Sequence, residues 1–392
     1  MSPLGSKPAP AEGVHLSPGA AVPSATPGAA SGPEHVEVPT RYDAVLLSGF
    51  GGPEGQDDVI PFLRNVTRGR GIPDERLEEV AHHYRHFDGV SPINGHNREL
   101  RSALEHRLAE RGLPLPVLWG NRNWKPYLND AVADAFQRGL TTLIAIPTSA
   151  YSSYSSCRQY REDWADALAD TGLADRVLID KVRPFFNHPG FVQPFIEGVT
   201  DAVAAAAADG IGADELEVLF CTHSIPTGDA ATSGGGGMYP RQHEAVAEYV
   251  MATAAPEVAW QLVYQSRSGP PHQPWLEPDV NDAIAALTGR RGVILVPVGF
   301  VSDHMEVMWD LDTEAVETAT DAGLWVRRTP TPGVHPAFVD ALADLVAERI
   351  EGRPAAQRAA VSSIGPWFDV CRPGCCANKR LGFRPAIAGL AP

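Results

Sequence analysis

The feature that most constrains the fold of this chain is a series of short, almost continuously apolar runs separated by helical segments. The first half contains the runs DAVLLS, PVLWG, LIAIPT and RVLID, and the second half contains LEVLFCTHS, AWQLVYQS, GVILVPVG and LWVRRT. Segments between them, such as DERLEEVAHHYRHF and RELRSALEHRLAER, have the apolar spacing of helices. Strands that lack polar alternation are buried on both faces, as in parallel sheets covered by helices. Since the two halves repeat the same order of elements, we predict an α/β fold of two similar doubly wound lobes.

Length and local composition divide the chain into four parts. A chain of 392 residues can bury a large core in one or two domains. Residues 1–38 are rich in Pro, Ala, Gly and Ser and cannot bury enough apolar surface to offset the entropy of ordering, so we predict a disordered tail. We assign residues 39–212 to an N-terminal lobe, residues 213–353 to a C-terminal lobe and residues 354–392 to a cysteine-containing tail.

The charge balance excludes some classes of partner. The chain has 32 basic and 48 acidic residues and a formal net charge of −16, which argues against general binding to nucleic acid or to an anionic membrane surface. No apolar run is long enough to span a bilayer, so we expect no integral membrane segment. The N-terminus has no apolar stretch typical of a secretory signal. We therefore expect a cytoplasmic protein.

In doubly wound folds the functional site lies beyond the carboxyl ends of the strands. The first strand ends in SGFGGPEG, which is not a dinucleotide fingerprint because Glu54 occupies the position of the third glycine. The third strand ends in PTSAYSSYSSCRQY, a stretch of hydroxyl and aromatic side chains. In the second half one strand ends in CTHSIP, which places His223 at a strand end, and another ends in GFVSDHMEV. The sequence thus predicts a site that contains this histidine and the acidic segment that follows the second of these strands.

That acidic segment, GFVSDHMEVMWDLDTEA, predicts a helix with a row of carboxylates. Glu306, Asp310 and Glu314 are spaced i, i+4 and i+8 and would share one face of the helix. Asp303 and Asp312 would lie elsewhere around it. Like charges at this spacing repel one another. The alternative to a functional row is a solvated acidic face.

Several motifs together resemble the ferrochelatase family, whose members insert ferrous iron into a porphyrin. They are CTHSIP, PVGFVSDHMEVMWDLD, FLRNVTRGRGIP, GVSPING and PWLEPDV. The resemblance runs from about Tyr42 to about Arg353. It implies two Rossmann-like lobes around a porphyrin cleft, which agrees with the fold predicted from the strand pattern.

The resemblance also implies roles for the polar residues at the strand ends. His223 and Glu306 are implied as catalytic residues that face the ring and contact the substrate Fe²⁺, and Asp310 and Glu314 as a path for metal or protons. A neutral imidazole can accept a proton or bind a metal, and oxygen ligands suit Fe²⁺ in transit. Which of His223 and Glu306 takes protons and which handles iron stays open.

The family positions further imply a set of residues that bind the porphyrin. Phe50 would lie over the ring, and the residues implied for its propionates and rim are Arg68, Arg70, Ser91 and Tyr160. The alternative for Arg68 and Arg70 is a solvated loop.

The cysteines indicate a second feature. Cys221 lies in an apolar strand and is expected in the core, whereas Cys371, Cys375 and Cys376 lie close together in a turn-rich tail. Together with Cys157 near a strand end they make four thiols, a set that suggests a metal site or an iron–sulfur cluster. The set resembles the C-terminal [2Fe–2S] extension of actinobacterial ferrochelatases, which implies a structural or sensing cluster. Structural zinc and incidental surface thiols are the alternatives.

The resemblance implies porphyrin and ferrous iron as substrates, with possible haem-pathway proteins as partners. We expect coproporphyrin III because the lip YRHFDGVSPINGHNREL is polar and the tail is of actinobacterial type. Protoporphyrin IX is the alternative substrate. A cobalt or nickel chelatase, a non-catalytic porphyrin or haem carrier and a redox sensor are the alternative functions.

Overall fold

The computed structural model of this chain describes residues 14–15, 35–69, 71–269, 272–372, 374–376 and 384–390. Most of the predicted N-terminal tail lies outside these residues, and so does Arg70, one of the predicted rim cations. The two-residue strand Val14–His15 pairs antiparallel with Gly389–Leu390. This pair brings together two segments that are remote in sequence.

The first lobe contains a four-stranded parallel sheet in the order β2-β1-β3-β4. Its strands are β1 (Ala44–Gly49), β2 (Val117–Asn121), β3 (Thr142–Pro147) and β4 (Leu178–Lys181). Its helices are α1 (Gln56–Val66), α2 (Asp74–His86), α3 (Ile93–Glu110), α4 (Leu128–Gln137), α5 (Gln159–Asp170) and α6 (Pro189–Ala208). A π-helical turn at Tyr154–Arg158 leads into α5.

The second lobe repeats this arrangement with a four-stranded parallel sheet in the order β6-β5-β7-β8. Its strands are β5 (Leu216–His223), β6 (Ala259–Gln265), β7 (Gly292–Val296) and β8 (Trp325–Arg328). Its helices are α7 (Thr227–Ala230), α8 (Met238–Ala254), α9 (Val280–Ala285), α10 (Met305–Val307), α11 (Val316–Asp321) and α12 (Pro336–Glu351), with a π-helical segment at Met308–Ala315. Short 3₁₀ turns lie at Ala213–Glu215, Ser233–Gly235 and Ala355–Gln357. The predicted α/β fold of two doubly wound lobes is confirmed.

The hydrophobic core explains why the strands carry no polar alternation. In β1, Val45 and Leu47 point into a large cluster that also contains Phe191 and Phe220 and therefore includes residues of both lobes. Ala44, the preceding residue, points into a second cluster beneath α4 and α5. A third cluster covers the outer face of the second sheet. Because both sheets are covered on both faces, the central strands β1, β5 and β7 are buried almost throughout, whereas the edge strand β8 is partly exposed.

Helix α12 ties the two lobes together. It begins with Pro at its first position and ends at Gly352, which has a left-handed φ of 62° where a Cβ would lie 2.4 Å from the Pro39 nitrogen. It packs against α3 and α6, and its buried Arg349 forms an ion pair with Asp180 at the end of β4. Among the helices that the structure describes, none is both long and apolar enough to cross a membrane.

The segment after α12 is fixed to the core by buried polar contacts. The Asn187 amide donates to the Ser362 hydroxyl at 3.0 Å and to the Gly365 carbonyl at 2.7 Å. Arg358 donates to the carboxylate of buried Asp369 at 2.6 Å. These contacts position Cys371, Cys375 and Cys376 beside the first lobe.

Candidate active site

Polar side chains of the second lobe gather where its strands end. His223 is the last residue of β5 and lies opposite Gln265, the last residue of β6, in the parallel register. The chain that leaves β7 at Val296 forms a loop and then starts α10 at Met305. Since the carboxyl ends of parallel strands share one edge of the sheet, this topology brings β5, β6 and the acidic segment together.

The hydrogen bonding of His223 determines which ring nitrogen faces the cleft. Its Nδ1 lies within hydrogen-bond distance of the Ser224 carbonyl, which can only accept, so Nδ1 carries the proton. In the neutral ring this leaves the lone pair on Nε2. Nε2 lies 3.7 Å from Oε2 of Glu306, and the two side chains are 32% and 49% exposed. The predicted residues His223 and Glu306 are therefore neighbours, and Nε2 of His223 faces the carboxylate of Glu306.

The acidic segment is a helix, but not the regular α-helix that its spacing predicted. His304 caps its start, accepting at Nδ1 from the Glu306 amide at 3.2 Å. From Met308 to Ala315 the helix is π-helical. The Thr313 hydroxyl donates to the Met308 carbonyl at 3.3 Å, a span of five residues that matches the π-helical repeat. Wide turns of this kind are frequent at functional sites.

Asp310 lies at the centre of the carboxylate row. Its Oδ2 accepts from the Ser266 hydroxyl and, at 3.3 Å, from the Gln265 amide, which also donates to the Glu306 carbonyl at 3.0 Å. Burial, together with the nearby charges of Glu306 and Glu314, raises the pKa of Asp310 to about 7, although the hydrogen bonds from Ser266 and Gln265 lower it. Asp310 is thus held by hydrogen bonds and is not part of a solvated face.

The sequence analysis missed Gln265 and Ser266 as site residues. Both stand where β6 ends, beside the strand that ends in His223. Polar residues that directly follow an apolar strand were the available signal. The remaining acidic residues of the segment have another partner, since Arg328 pairs with Asp303 at 3.1 Å and with Asp312 at 2.5 Å.

The outer end of the carboxylate row reaches the first lobe. Glu314 accepts from the Trp309 indole nitrogen at 2.8 Å. The Trp309 ring stacks on His83 of α2, with ring centroids 4.1 Å apart and an interplanar angle of 8°. Burial lowers the pKa of His83, although the charge of Glu314 raises it. Helix α2 and the π-helical segment therefore meet across the two lobes.

In the first lobe, the loop after β1 presents Phe50. Gly51 has a left-handed φ of 83°, and a Cβ there would lie 2.9 Å from the Cβ of Asn121. This close approach fixes the loop against β2. Phe50 contacts Phe62 edge-on at 6.3 Å.

Arg122 is a further residue that the sequence analysis missed. It directly follows β2, and its guanidinium carbon lies 4.4 Å from the centre of the Tyr160 ring and 5.9 Å from that of Phe50. It pairs with Asp163, yet its buried Nη2 has no hydrogen-bond partner in the described part of the chain. An arginine directly after a strand was the available signal. An unpaired buried N–H beside two aromatic rings fits an anionic group of a flat ligand.

The other predicted rim residues lie at different depths. Ser91 and Tyr160 are buried, and the Tyr160 hydroxyl lies 3.4 Å from that of Thr148. Arg68 lies at the exposed end of α1 and donates to the Asn65 side chain at 2.6 Å. The structure thus brings Tyr160 and Phe50 together around Arg122 and leaves Arg68 at the surface.

Comparison with known proteins agrees with this geometry. The family model named Ferrochelatase matches residues 42–350. The chain is 63% identical to the coproporphyrin III ferrochelatase of Leifsonia xyli over 94% of this chain and 99% of that protein. It is 50% identical to that of Streptomyces coelicolor over 89% of this chain and 96% of that protein, and 46% identical to the ferrochelatase of Rhodopirellula baltica over 90% and 97%.

The chain belongs to the ferrochelatase family. The family that the motifs predicted is thereby confirmed, and with it the expectation of an enzyme. The matched region ends one residue before the end of α12. Cys371, Cys375 and Cys376 lie beyond the region that the family model matches.

Cys157, Cys371, Cys375 and Cys376, which we call the cysteine cluster, lie together in one buried group with Phe368. The sulfur atoms of Cys375 and Cys376 are 3.9 Å apart. Further thiol hydrogen bonds join Cys376 to Cys157 and Cys375 to Cys371. The alternative of incidental surface thiols is wrong because all four side chains are buried.

Backbone geometry explains how two adjacent cysteines face the same centre. The Cys375 amide donates to the Arg372 carbonyl at 3.1 Å and closes a turn, and Cys376 has a left-handed φ of 52°. Side chains of consecutive residues diverge in extended chain, and the left-handed residue turns the second one back. Within the described residues, no three or more His, Cys, Asp or Glu side chains are already grouped in the arrangement of a metal site.

A neighbouring thiol controls the ionisation of Cys157. A hydrogen bond from Cys376 lowers the pKa of the Cys157 thiol, against the effect of burial. Cys221 is buried in β5, and burial raises its pKa, as expected of a core thiol.

Proposed function

We propose that this protein inserts ferrous iron into coproporphyrin III, giving Fe-coproporphyrin for haem biosynthesis. The observation that carries the proposal is Nε2 of His223, unprotonated in the neutral ring and 3.7 Å from Glu306 at the strand ends. The names of the relatives at 63% and 50% identity support coproporphyrin III as the substrate.

Metallation forms four iron–nitrogen bonds and removes two pyrrole protons. Nε2 of His223 is the acceptor that we assign to a departing proton, since Nδ1 is already bonded to a carbonyl. Glu306 lies close enough to take that proton onward. Asp310, with a pKa of about 7, can hold or release a proton at neutral pH. His223 then returns to its neutral form for the second proton.

The carboxylate row also suits the metal substrate. Glu306, Asp310 and Glu314 are near enough for their charges to interact, and oxygen ligands hold Fe²⁺ without trapping it. A cation in transit would relieve their mutual repulsion. We therefore propose that Fe²⁺ reaches the ring along this row.

The first lobe supplies contacts for the porphyrin. Phe50 offers a flat apolar surface, and Arg122 offers to a propionate its Nη2, which has no hydrogen-bond partner in the part of the chain that the structure describes. We keep Ser91, Tyr160 and exposed Arg68 as rim residues.

Anaerobic Fe²⁺ insertion followed by absorbance tests the proposal. With equal concentrations of coproporphyrin III and protoporphyrin IX, we expect a higher kcat/KM for the first. A preference for protoporphyrin IX would contradict the substrate assignment, and Co²⁺ or Ni²⁺ insertion without Fe²⁺ insertion would contradict the metal.

We also propose that the cysteine cluster holds a [2Fe–2S] cluster. Four buried thiols in two hydrogen-bonded pairs match the all-cysteine ligation of such a cluster. When bound, this group supplies one-electron redox chemistry.

A buried arginine supports an anionic group at this position. Arg161 lies four residues after Cys157, is 1% exposed, and donates from Nε to the Ile387 carbonyl at 2.6 Å. Both of its Nη atoms are buried without a hydrogen-bond partner among the described residues. Its positive charge acts on Cys157 and Cys371. Unpaired buried donors beside four thiols fit a negatively charged inorganic cluster.

Iron and acid-labile sulfide analysis of anaerobically purified protein tests this assignment. We expect two of each per chain, lost in Cys157→Ser and kept in Cys221→Ser, the matched control in β5. Two iron and two sulfide per chain in Cys157→Ser would contradict the ligand set. Zinc without sulfide in the wild-type protein would contradict the [2Fe–2S] assignment.

We further propose a cytoplasmic location, consistent with a role in haem biosynthesis, and a chain organised as two lobes followed by the cluster-binding tail. Protein partners from the haem pathway stay a prediction.

A further inference from the structure

Helix α8 contacts both the surroundings of the cysteine cluster and the strand that ends in His223. It is preceded by a glycine-rich turn in which Gly234, Gly235, Gly236 and Gly237 all have positive φ values, from 55° to 139°. At Gly234 a Cβ would lie 2.7 Å from the Cβ of Met238 and 3.1 Å from the Trp367 ring, so the turn is closely packed against the tail. The turn therefore packs directly between the tail and the start of α8.

Hydrogen bonds connect this turn to the cysteine cluster. The Gly234 amide donates to the sulfur of Cys376 at 3.1 Å. The next contact belongs to Ser233, whose buried hydroxyl accepts from the Tyr239 amide at 2.7 Å and donates to the Ala230 carbonyl at 2.6 Å. The start of α8 is therefore fixed by Ser233, and the next residue, Gly234, is hydrogen-bonded to the sulfur of Cys376.

Tyr239 carries the connection to the candidate active site. Its hydroxyl donates to the backbone carbonyl of His223 at 2.8 Å and lies 3.0 Å from the Thr222 hydroxyl. His243, one turn further along α8, donates from Nδ1 to the Tyr239 carbonyl at 2.7 Å and faces the Thr222 hydroxyl with Nε2 at 2.9 Å. Burial lowers the pKa of His243 to about 3, so the ring stays neutral near pH 7 and these hydrogen bonds are not altered by its protonation.

A second route reaches α8 from Cys157. Its thiol donates to the Ser153 carbonyl at 3.7 Å. The neighbouring Ser152 forms two hydrogen bonds with the side chain of Gln242. The Ser152 backbone amide donates to Oε1 of Gln242 at 2.8 Å, and Nε2 of Gln242 donates to the Ser152 hydroxyl at 3.1 Å. The Tyr151 ring stacks on His243 with centroids 3.6 Å apart. Two of the four thiols are thus connected to the same turn of α8.

We propose that Tyr239 is a positioning residue that holds His223 through its backbone carbonyl and makes that hold depend on the state of the cysteine cluster. The inference rests on the proposed roles of His223 and of the four cysteines. Disruption of the cluster at Cys376 removes the acceptor of the Gly234 amide and frees the turn, and with it the hydroxyl of Tyr239. Because coupling between two sites is reciprocal, porphyrin binding near His223 should also alter the environment of the cluster.

Tyr239→Phe tests the positioning role, because the ring that packs is kept and only the hydroxyl is lost. We expect iron and sulfide to stay at the wild-type content, the KM for coproporphyrin III to stay within about twofold, and kcat to fall by about two- to tenfold, as for one hydrogen bond. Tyr249→Phe is the matched control, since Tyr249 lies on the same helix and is exposed. It should leave kcat unchanged. An unchanged kcat in Tyr239→Phe would overturn the positioning role.

Two further measurements test the connection to the cluster. Coproporphyrin III should change the visible circular dichroism of the [2Fe–2S] cluster in wild type but not in Tyr239→Phe. Cys376→Ala, which leaves the Gly234 amide without its acceptor, should lower kcat less in the Tyr239→Phe background than alone. Equal spectral changes in both proteins, or fully additive losses of kcat, would overturn the coupling. Iron and sulfide retained by Cys376→Ala would instead refute the proposed ligand set, and Tyr239→Phe would still decide the positioning role.

Discussion

The two lobes have the same sheet order but carry different chemistry at their strand ends. In the first lobe, β1 and β2 are followed by Phe50 and Arg122, an aromatic ring and a guanidinium whose Nη2 has no hydrogen-bond partner among the described residues. In the second lobe, β5 and β6 end in His223 and Gln265, next to a row of carboxylates. The same edge of the same fold therefore presents a surface suited to a flat anion in one lobe and a proton- and cation-handling set in the other.

Parallel sheets place the carboxyl ends of all their strands at one edge, so the backbone brings the strand-end residues together and leaves their chemistry free to differ. We propose that the first lobe mainly binds the ring and that the second mainly performs the insertion. Substitutions in different lobes should then change porphyrin binding and metal chemistry separately.

Among the substitutions that test this division between the lobes, Glu306→Gln should have the largest effect on the rate of insertion. It removes the carboxylate that faces Nε2 of His223, and loss of a positioned proton-transfer group costs about 10²–10⁴-fold in rate. The kcat for Fe²⁺ insertion should fall in that range while the Kd for coproporphyrin III stays within about threefold. A comparable loss of porphyrin affinity would place Glu306 in ring binding and break the division between lobes.

Arg122→Gln should show the opposite pattern. A charge-assisted hydrogen bond contributes roughly 1.5–3 kcal/mol, so the Kd for coproporphyrin III should rise by about tenfold or more while kcat at saturation changes little. Asp163→Asn is the matched control because it breaks the same ion pair and keeps the guanidinium. If Asp163→Asn raises the Kd for coproporphyrin III as much as Arg122→Gln does, the effect is structural and Arg122 does not contact a propionate.

Asp310→Asn should change the pH dependence of stability. The folded-state pKa of Asp310, about 7, is raised above the unfolded value of about 3.9, so its ionisation opposes folding. This cost is absent below about pH 3.9, grows as the pH rises through about 7 and is constant above that. In metal-free buffer, the Tm of Asp310→Asn relative to wild type should therefore increase from pH 4 to pH 7 and then level off.

Asp312→Asn is the matched control for that experiment. The Asp312 carboxylate is paired with Arg328, so its removal should lower the Tm at neutral pH rather than raise it. A Tm difference for Asp310→Asn that does not vary with pH would contradict the raised pKa.

Arg68→Ala should have the smallest effect. Arg68 is exposed and bonded to Asn65, and exposed ionic contacts contribute about 0.2–1 kcal/mol. The Kd for coproporphyrin III should rise by less than about fivefold at low salt, and the difference should shrink as salt is added. A loss as large as that of Arg122→Gln would mean that Arg68 reaches the porphyrin directly.

The sequence predicted the strands and the strand-end histidine because short, continuous apolar runs bounded by turn residues are typical of strands that are buried on both faces. It also predicted that Glu306, Asp310 and Glu314 belong together, since helical spacing places them on one face. It did not predict the π-helical segment, which depends on local hydrogen bonds such as that of Thr313, nor Gln265. The importance of such residues comes from which strand lies next to which, and that order is set by packing across the whole fold.

The role of His223 is tested by anaerobic single-turnover insertion of Fe²⁺ by His223→Ala with coproporphyrin III already bound. We expect this variant to bind the porphyrin with a Kd within about threefold of wild type. The bound ring should then stay metal-free at least about 10²-fold longer, because the proton acceptor is missing. Insertion at a near-normal rate from the bound porphyrin, or loss of porphyrin binding together with turnover, would contradict the assignment of the metal chemistry to the second lobe.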